Sequence, residues 1–227
     1  MRFMGEFMDT TILFEDESII VCVKKAGIPT ETKAVGQQDM ISILKNYRAS
    51  KNEPTEIHAI HRLDQMVEGV MVFAKNDKAA AVLSRQVKEH TFIKKYYAII
   101  NRESFPVEGK LEDYVVKDMR SNISRVVKST DPRGKKASLE YKVIYHWDDR
   151  YLLDINLLTG RHHQIRLQLA SRTAPIIGDV KYGGLDTGRP LDLCSYMIGF
   201  VHPVTGEAVE YTIVPQGTDF VESGYKF

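Results

Sequence analysis

The sequence predicts a protein of mixed α and β structure. Apolar runs rich in Val and Ile recur along the 227 residues, which is typical of strands, whereas amphipathic helical spacing is confined to a few stretches. The length fits one large domain or two small ones, and a hydrophobic content of 43% is sufficient to build a core.

The predicted strands are short, apolar and separated by polar turns. The first two lie near 12–14 and 19–23, on either side of an acidic turn. Later strands are predicted at 94–100, 138–147, 151–158, 193–201 and 208–214. Residues 56–75 read as strand, polar turn and strand, and the rest of the chain is organised around them.

Three helices are predicted from capping residues and apolar spacing. Asp39 is expected to cap a helix that runs to about Ser50. Asn76 or Asp77 is expected to cap a second helix that runs to about His90. A third is predicted to open at 159 and to run to about 172.

The turn within 56–75 carries polar residues between two apolar strands. His61, Arg62 and Asp64 lie in it, and Gly69 supplies the backbone freedom needed to enter the second strand. A short loop between buried strands is a rigid mount for a reactive side chain. From the residues alone, Asp64 either carries chemistry or only caps the turn.

Charge is balanced overall but uneven along the chain. The sequence has 31 basic and 30 acidic residues, so net charge does not indicate a partner. Residues 117–136 nevertheless contain seven Lys or Arg and two Asp. This basic segment, poor in large apolar residues, is predicted to form a surface hairpin or loop. It would either bind a polyanion or remain a solvated loop.

Cysteine usage and hydropathy indicate a cytoplasmic protein. Cys22 and Cys194 lie in apolar runs and are predicted to be core residues in a reducing compartment. The N-terminal residues lack the apolar core of a signal peptide, and no apolar run approaches the ~18 residues of a membrane span. We therefore expect no membrane association.

Three motifs resemble those of a known enzyme family. They are HRLD at 61–64, followed by Gly69 and an apolar strand ending in FAK; KxYxA at 94–98; and TGRxHQIR at 159–166. Together they resemble the RluA-type pseudouridine synthases, and the resemblance extends over about 12–215. Val67 and Glu68 stand where that family usually has Thr-Ser. Many larger members carry an N-terminal RNA-binding domain, and this chain is expected to be a short form without one.

The resemblance implies a fold and an activity. The expected fold is a single α+β domain over 1–227, with a twisted, mostly antiparallel sheet and flanking helices. The implied function is isomerisation of uridine to pseudouridine in structured ribosomal or transfer RNA. RNA is thus the expected partner, a monomer is the default state, and neither a metal nor another cofactor is expected.

The resemblance also assigns roles to three residues. Asp64 is the implied catalytic carboxylate, acting as nucleophile at the anomeric carbon or as base at the adjacent ribose carbon. Tyr96 is expected to lie against the base and to help remove a proton from its carbon. Arg166 is expected to pair with Asp64 and keep it ionised.

Six further residues are predicted to contact RNA. Arg62 would bind a phosphate or fill the place of the extruded base, and His61 would assist or else stabilise the turn. The other four are Arg161 and, in the basic segment, Arg125, Lys128 and Arg133.

Two other function classes remain as alternatives. The first is a non-catalytic RNA-binding or RNA-chaperone protein on the same scaffold. The second is a metal-dependent hydrolase that uses His58, His61, His162 and His163. The metal alternative is disfavoured because no Cys or carboxylate completes a ligand set at a familiar spacing.

Overall fold

The computed structural model describes residues 10–34, 36–102 and 104–227. Backbone contacts divide the chain into two units. Unit 1 comprises the residues up to Phe92 together with Met197–Ile213, and unit 2 comprises Ile93–Tyr196 together with Val214–Phe227. The single domain over 1–227 stays a prediction.

Unit 1 is built on antiparallel strands. They are β1 (Thr11–Glu15), β2 (Ile19–Lys24), the two-residue β3 (His58–Ala59), β4 (Glu68–Ala74), the end of β10 (Leu193–Val201) and β11 (Ala208–Thr212). Strand β2 pairs with β1 and β4, β3 pairs with β4, and β10 pairs with β11. Strand β10 lies next to β4 in the strand order.

Two capped helices accompany these strands. Helix α1 (Met40–Ser50) begins after a capping box in which Asp39 accepts from the backbone of Ser42. Helix α2 (Asp77–Lys88) begins after Asn76, whose side chain accepts from the Ala79 N–H. Both predicted caps are confirmed, and Asn76 rather than Asp77 caps the second helix.

The core of unit 1 joins α2 to the strands. Its buried members include Val70 and Val72 of β4, Leu83 of α2, and the stacked rings of Phe92 and Phe200. Alternate residues of β2 and β4 point to opposite faces of the sheet. Because both faces are buried here, the two strands appear in the sequence as continuous apolar runs. This packing fixes the strand that follows the Asp64 turn.

Unit 2 is built on a second set of antiparallel strands. They are β5 (Ile93–Asn101), β6 (Glu108–Asp118), β7 (Ile123–Val127), β8 (Lys135–Trp147) and β9 (Arg150–Leu157). Their order is β5-β9-β8-β6-β7. Three short helical segments follow: α3 (Gln164–Ala170), a 3-10 turn (Val180–Tyr182) and α4 (Thr218–Glu222). The predicted α+β class with mostly antiparallel strands is confirmed.

Several elements differ from the prediction. The strands β6 and β7 and the helix α4 were not predicted as regular elements. Strand β7 pairs with β6 in the basic segment, where a surface hairpin or loop was predicted. Helix α3 begins at Gln164 rather than at Thr159, because His163 is left-handed with φ 52°. The Gln164 amide oxygen instead accepts from the Thr159 hydroxyl and the Arg161 N–H. Within the described residues, no helix is long and apolar enough to span a membrane.

Candidate active site

Main-chain hydrogen bonds hold the turn that carries Asp64 in unit 1. The Val67 N–H donates to the Asp64 carbonyl at 3.0 Å, which closes the turn. The Gly27 N–H donates to the Gln65 carbonyl at 2.8 Å, and the Gln65 side chain donates back to the Gly27 carbonyl. The half-buried Asp64 is therefore mounted on a segment fixed from outside the turn.

Lys24, at the end of β2, is a fully buried cation beneath this turn. Its ammonium donates to three main-chain carbonyls, those of Lys25 (3.1 Å), Ile28 (2.6 Å) and Gln65 (3.0 Å). Burial lowers the pKa of Lys24 to about 8, and the carboxylates of Asp64 and Glu68 oppose that shift. The ammonium thus lies near Asp64 and ties its turn to β2.

The two residues before Leu63 differ in exposure. His61 is buried against Phe92, with ring centroids 5.3 Å apart, and its Nε2 accepts from the Val72 N–H at 3.4 Å. This favours the turn-stabilising alternative for His61. Arg62 is exposed, and its contact with RNA stays a prediction.

The unusual pair Val67-Glu68 fits the end of the turn. Val67 is buried, and Glu68 is half-buried at the start of β4. Gly69 follows with φ 154°, a conformation that L residues rarely adopt, which confirms the predicted need for a glycine. The apolar side chain at 67 therefore packs inward at the base of the turn.

Arg166 of α3 is a buried cation in unit 2. Its Nε and Nη2 each donate to an oxygen of Asp179 at 2.7 Å, which is a bidentate fork. The guanidinium carbon also lies 5.2 Å from the centroid of the Tyr182 ring. Asp179 is thus one partner of Arg166, and the pairing of Arg166 with Asp64 stays a prediction.

A tight segment positions Asp179. The Gly184 N–H donates to the Asp179 carbonyl at 2.8 Å, and a side chain at Gly184 would come within 2.2 Å of the Ile176 carbonyl. Gly178 has φ 79°, which also favours glycine. Asp179 lies outside the three motifs, and the sequence did not predict it as a partner of Arg166.

The hydroxyl of Tyr182 joins the hairpin strand β7 to the start of α3. It accepts from the Ser124 N–H at 2.8 Å and lies 2.9 Å from Nδ1 of His163. Burial, together with the nearby Arg166, lowers the pKa of His163 to about 2. The neutral imidazole can therefore accept a hydrogen bond from the Tyr182 hydroxyl, and His163 joins the start of α3 to this tyrosine.

Strand β5 carries two adjacent tyrosines whose side chains point to opposite faces of the sheet. Tyr96 is buried, and its Cα lies opposite Ile155 of β9. Tyr97 points to the other face and stacks on Tyr196 with ring centroids 3.8 Å apart. The catalytic role of Tyr96 stays a prediction.

The predicted RNA contacts of unit 2 lie around the basic segment. Arg125, Lys128 and Arg133 are exposed and line an open depression of about 810 Å³ at the β7–β8 turn. Arg133 binds Asp131 at 2.8 Å. Arg161 is half-buried, and its Nε donates to the Lys136 carbonyl at 2.9 Å. RNA binding by these four residues stays a prediction.

The histidines proposed for a metal site have other contacts. His162 and His163 stack with ring centroids 3.7 Å apart, and Ser124 lies 2.9 Å from Nδ1 of His162. His58 contacts Glu56 at 2.7 Å and lies 3.5 Å from Asp77. In the described part of the chain, this last group is the cluster with a metal-compatible spacing, and both its carboxylates are exposed.

Comparisons with known proteins agree with the resemblance. A family model for RNA pseudouridylate synthases matches residues 18–171. An uncharacterized RNA pseudouridine synthase of Bacillus subtilis, YhcT, is 34% identical over 211 residues, covering 90% of this chain and 68% of the relative. The ribosomal large subunit pseudouridine synthase D of Vibrio cholerae is 31% identical over 238 residues, covering 97% and 72% of the two chains.

Solved structures show the same fold. Human RNA pseudouridylate synthase domain containing 4 superposes with a TM-score of 0.76 at 23% identity, covering 94% of this chain and 91% of that one. Human RNA pseudouridylate synthase domain containing 1 gives the same TM-score at 19% identity, covering 92% and 84%.

Proposed function

The chain belongs to the RNA pseudouridylate synthase family, and we propose that Asp64 is the carboxylate with which this RNA isomerase converts uridine to pseudouridine. The observation that carries the proposal is the construction of the Asp64 turn. The motif HRLD ends in a half-buried carboxylate, and the buried Lys24 fixes the next carbonyl along the chain. A carboxylate held in this way is preorganised for catalysis.

The proposed reaction needs no redox step. The bond between ribose C1′ and base N1 breaks, the base rotates, and C1′ joins base C5. C5 then loses a proton and N1 gains one, so the product is an isomer of the substrate. Asp64 serves as nucleophile at C1′ or as base at C2′, and both routes require its ionised form. The nucleophilic route parallels that of retaining glycosidases.

We propose that Arg166 keeps Asp64 ionised in the substrate complex. A carboxylate shielded from water tends to gain a proton, and a permanently charged guanidinium opposes this. The fork with Asp179 supports the proposal because it fixes the orientation of Arg166 before any substrate binds. Tyr96 is proposed to lie against the base and to assist removal of the C5 proton.

We propose that the RNA is ribosomal, with transfer RNA as the other class to test. Six relatives at 28–31% identity are named ribosomal large subunit pseudouridine synthase D, which supports testing that RNA first. The target base must leave its stack to reach Asp64. Exposed Arg62 and the basic residues of the hairpin would hold the backbone.

We also propose that the enzyme works as a monomer in the cytoplasm. Both cysteines are buried thiols outside any disulfide, which is compatible with a reducing compartment. Light scattering of the purified protein at several concentrations would measure the mass, and a concentration-dependent dimer would contradict the monomer.

A pseudouridine map of total cellular RNA tests the function. Cells lacking the protein should lose modification at one or a few uridines, and the parent but not Asp64→Asn should restore it. If no position changes and the purified parent releases no tritium from C5-labelled uridine in any cellular RNA, the RNA-binding alternative takes its place.

A further inference from the structure

Three lysines of the structure are buried, and their surroundings differ. Lys24 donates to three carbonyls. Lys75, which is 7% exposed, binds the Glu15 carboxylate at 2.9 Å and the Asp16 carbonyl at 2.7 Å. Lys94, also 7% exposed, forms no hydrogen bond or ion pair with any residue that the structure describes. Among the described residues, its ammonium is therefore buried without a counter-charge.

A second cation, Arg161, lies near Lys94 and makes its burial less favourable. Burial lowers the pKa of Lys94, and the guanidinium of Arg161 lowers it further. Arg161 cannot simply turn away, because its Nε donates to the Lys136 carbonyl and its backbone N–H donates to Gln164. Two cations of unit 2 are thus held near each other.

Gly160 leaves the space beside the ammonium open. A Cβ built on Gly160 would lie 3.4 Å from Nζ of Lys94, and apart from its chain neighbours no other heavy atom of the described chain comes within 4 Å. The Gly160 backbone is not in the left-handed region, so its conformation does not itself require glycine. The missing side chain keeps Nζ accessible from this side.

We propose that Lys94 and Arg161 form a binding site for a phosphate group, which in the function proposed above is a phosphodiester of the RNA substrate. A buried ammonium beside a second cation is unfavourable unless an anion completes the group. Phosphate suits both side chains, since lysine binds it as a point charge and arginine with a planar fork.

The position of the site gives it a role in recognition. Lys94 and Tyr96 lie on the same face of β5, about 7 Å apart along the strand. A phosphodiester on Lys94 and Arg161 would therefore anchor the RNA backbone beside the tyrosine proposed to contact the base. The site would position one nucleotide, whereas the exposed residues of the hairpin would hold the flanking RNA.

Substitution of Lys94 by methionine tests the proposal. Lys94→Met should raise the thermal midpoint, because an uncompensated buried charge is removed, and should weaken RNA binding roughly tenfold or more. It should also flatten the plot of log affinity against log salt by about one unit. A lower midpoint with unchanged affinity would make Lys94 a structural residue and overturn the site.

Two matched lysines serve as controls. Lys75→Met removes an equally buried lysine that has carboxylate partners, so its thermal midpoint should fall. Lys95→Met makes the same charge change one residue along β5, on the opposite face, and should leave the RNA affinity within twofold of the parent. Equal losses of affinity in Lys94→Met and Lys95→Met would indicate a general charge effect and overturn the specific site.

Gly160→Ala tests the same site without removing a charge. Its methyl group would cover Nζ of Lys94, so RNA affinity should fall while the thermal midpoint stays near that of the parent. In the Lys94→Met background the alanine should have no further effect on affinity. Additive losses would mean that Gly160 acts elsewhere. This variant also decides the question if Lys94→Met does not fold.

A titration with inorganic phosphate distinguishes failure of this site from failure of the proposed function. In protein labelled with ¹³C at lysine Cε, phosphate should raise the pKa of Lys94 and leave that of Lys95 unchanged. No response of Lys94 would overturn the site, even if the parent releases tritium from RNA. A response of Lys94 in a protein that modifies no RNA would leave the phosphate site standing and refute the proposed function. The RNA affinity of Lys94→Met would then decide whether the phosphate belongs to RNA.

Discussion

Single side chains fix the charged groups of each unit. Lys24 binds the carbonyl beside Asp64 in unit 1, and Asp179 binds the guanidinium of Arg166 in unit 2. Each group is therefore held before a substrate arrives. Substitutions are therefore expected to affect either the chemical step or the hydrogen bonds that hold these groups in place.

Asp64→Asn should abolish pseudouridine formation and leave RNA affinity within a few-fold of the parent. The amide is nearly isosteric with the carboxylate but is a poor nucleophile and a poor base, and phosphate contacts elsewhere should supply most of the affinity. Tritium release and filter binding on the same RNA measure the two effects. Asp148→Asn, in an exposed turn, is the control, and a folded Asp64→Asn that released tritium at the parental rate would exclude Asp64 from catalysis.

Arg166→Lys should slow single-turnover catalysis and also destabilise unit 2. Lysine keeps the charge but loses the two-point grip on Asp179, a loss of about 1–3 kcal/mol for charge-assisted hydrogen bonds. Rate and thermal midpoint should be measured together. The half-buried Arg172 makes a similar fork with Asp113, so Arg172→Lys is the matched control and should retain the parental rate.

If Arg166→Lys loses stability while its folded fraction keeps the parental rate, Arg166 is purely structural.

The motifs predicted Arg166 as a site residue but not Asp179 as its partner. An aspartate 13 positions away becomes a partner only through the turn built by Gly178 and Gly184, and this close approach is tertiary. Lys24 was missed for a related reason, because a lysine after an apolar strand usually reads as exposed.

The hairpin around β7 is the element on which RNA affinity should depend. Replacing its three basic residues Arg125, Lys128 and Arg133 by glutamine should flatten the salt dependence of RNA binding by up to about three units. The same change at Lys45, Lys78 and Lys88, exposed in unit 1, is the control. Equal slopes for the two triple variants would leave the hairpin a solvated loop.

Substitution is a cleaner test than deletion at this hairpin. Ser124 of β7 is buried, its N–H donates to the Tyr182 hydroxyl, and its own hydroxyl donates to the His162 carbonyl. Removing the strand would therefore eliminate these two hydrogen bonds, which hold β7 to Tyr182 and to the residues before α3. The charge pattern predicted a surface hairpin or loop but could not show that one serine anchors it.

Helix and strand ends show where sequence patterns stop being informative. Asp39 and Asn76 were predictable as caps because capping is a local interaction. The start of α3 was not, since it depends on hydrogen bonds of the Gln164 side chain with Thr159 and Ser138. In β6, the buried Leu111 and Val115 are four residues apart among charged neighbours, which obscures the strand period.

For the molecule as a whole, the carboxyl pair Asp192–Asp219 should make stability depend on pH. Burial and the carboxylate of Asp219 raise the pKa of Asp192 to about 8, although Arg150 and Arg189 oppose the shift. In the unfolded chain this carboxyl loses its proton near pH 4. Its contribution is thus fully present below pH 4 and is lost as the pH rises to about 8.

Asp192→Asn should remove this dependence and be more stable than the parent at pH 8. Thermal midpoints of both proteins between pH 4 and 9 measure it, with Asp148→Asn as the control. Parallel curves for Asp192→Asn and the parent would show that Asp192 does not carry the effect. Arg150 binds Asp219 at 2.8 Å, so the variant leaves that ion pair intact.

The fold class was predictable because its motifs and apolar runs are local, whereas the division of the chain was not. Unit 1 combines residues up to Phe92 with Met197–Ile213, and nothing in either segment marks the other as its complement. The pairing is visible only in contacts such as those of Gln86, which exchanges two hydrogen bonds with the backbone of Val201.

This arrangement has a consequence during synthesis. Strand β4 leaves the ribosome well before β10 and β11, its later companions in unit 1. At a translation rate of 5–20 residues per second, the intervening chain takes on the order of ten seconds to appear. During that time the apolar edge of β4 lacks its neighbouring strand β10. A nascent chain of this enzyme should therefore bind chaperones until β10 and β11 have emerged.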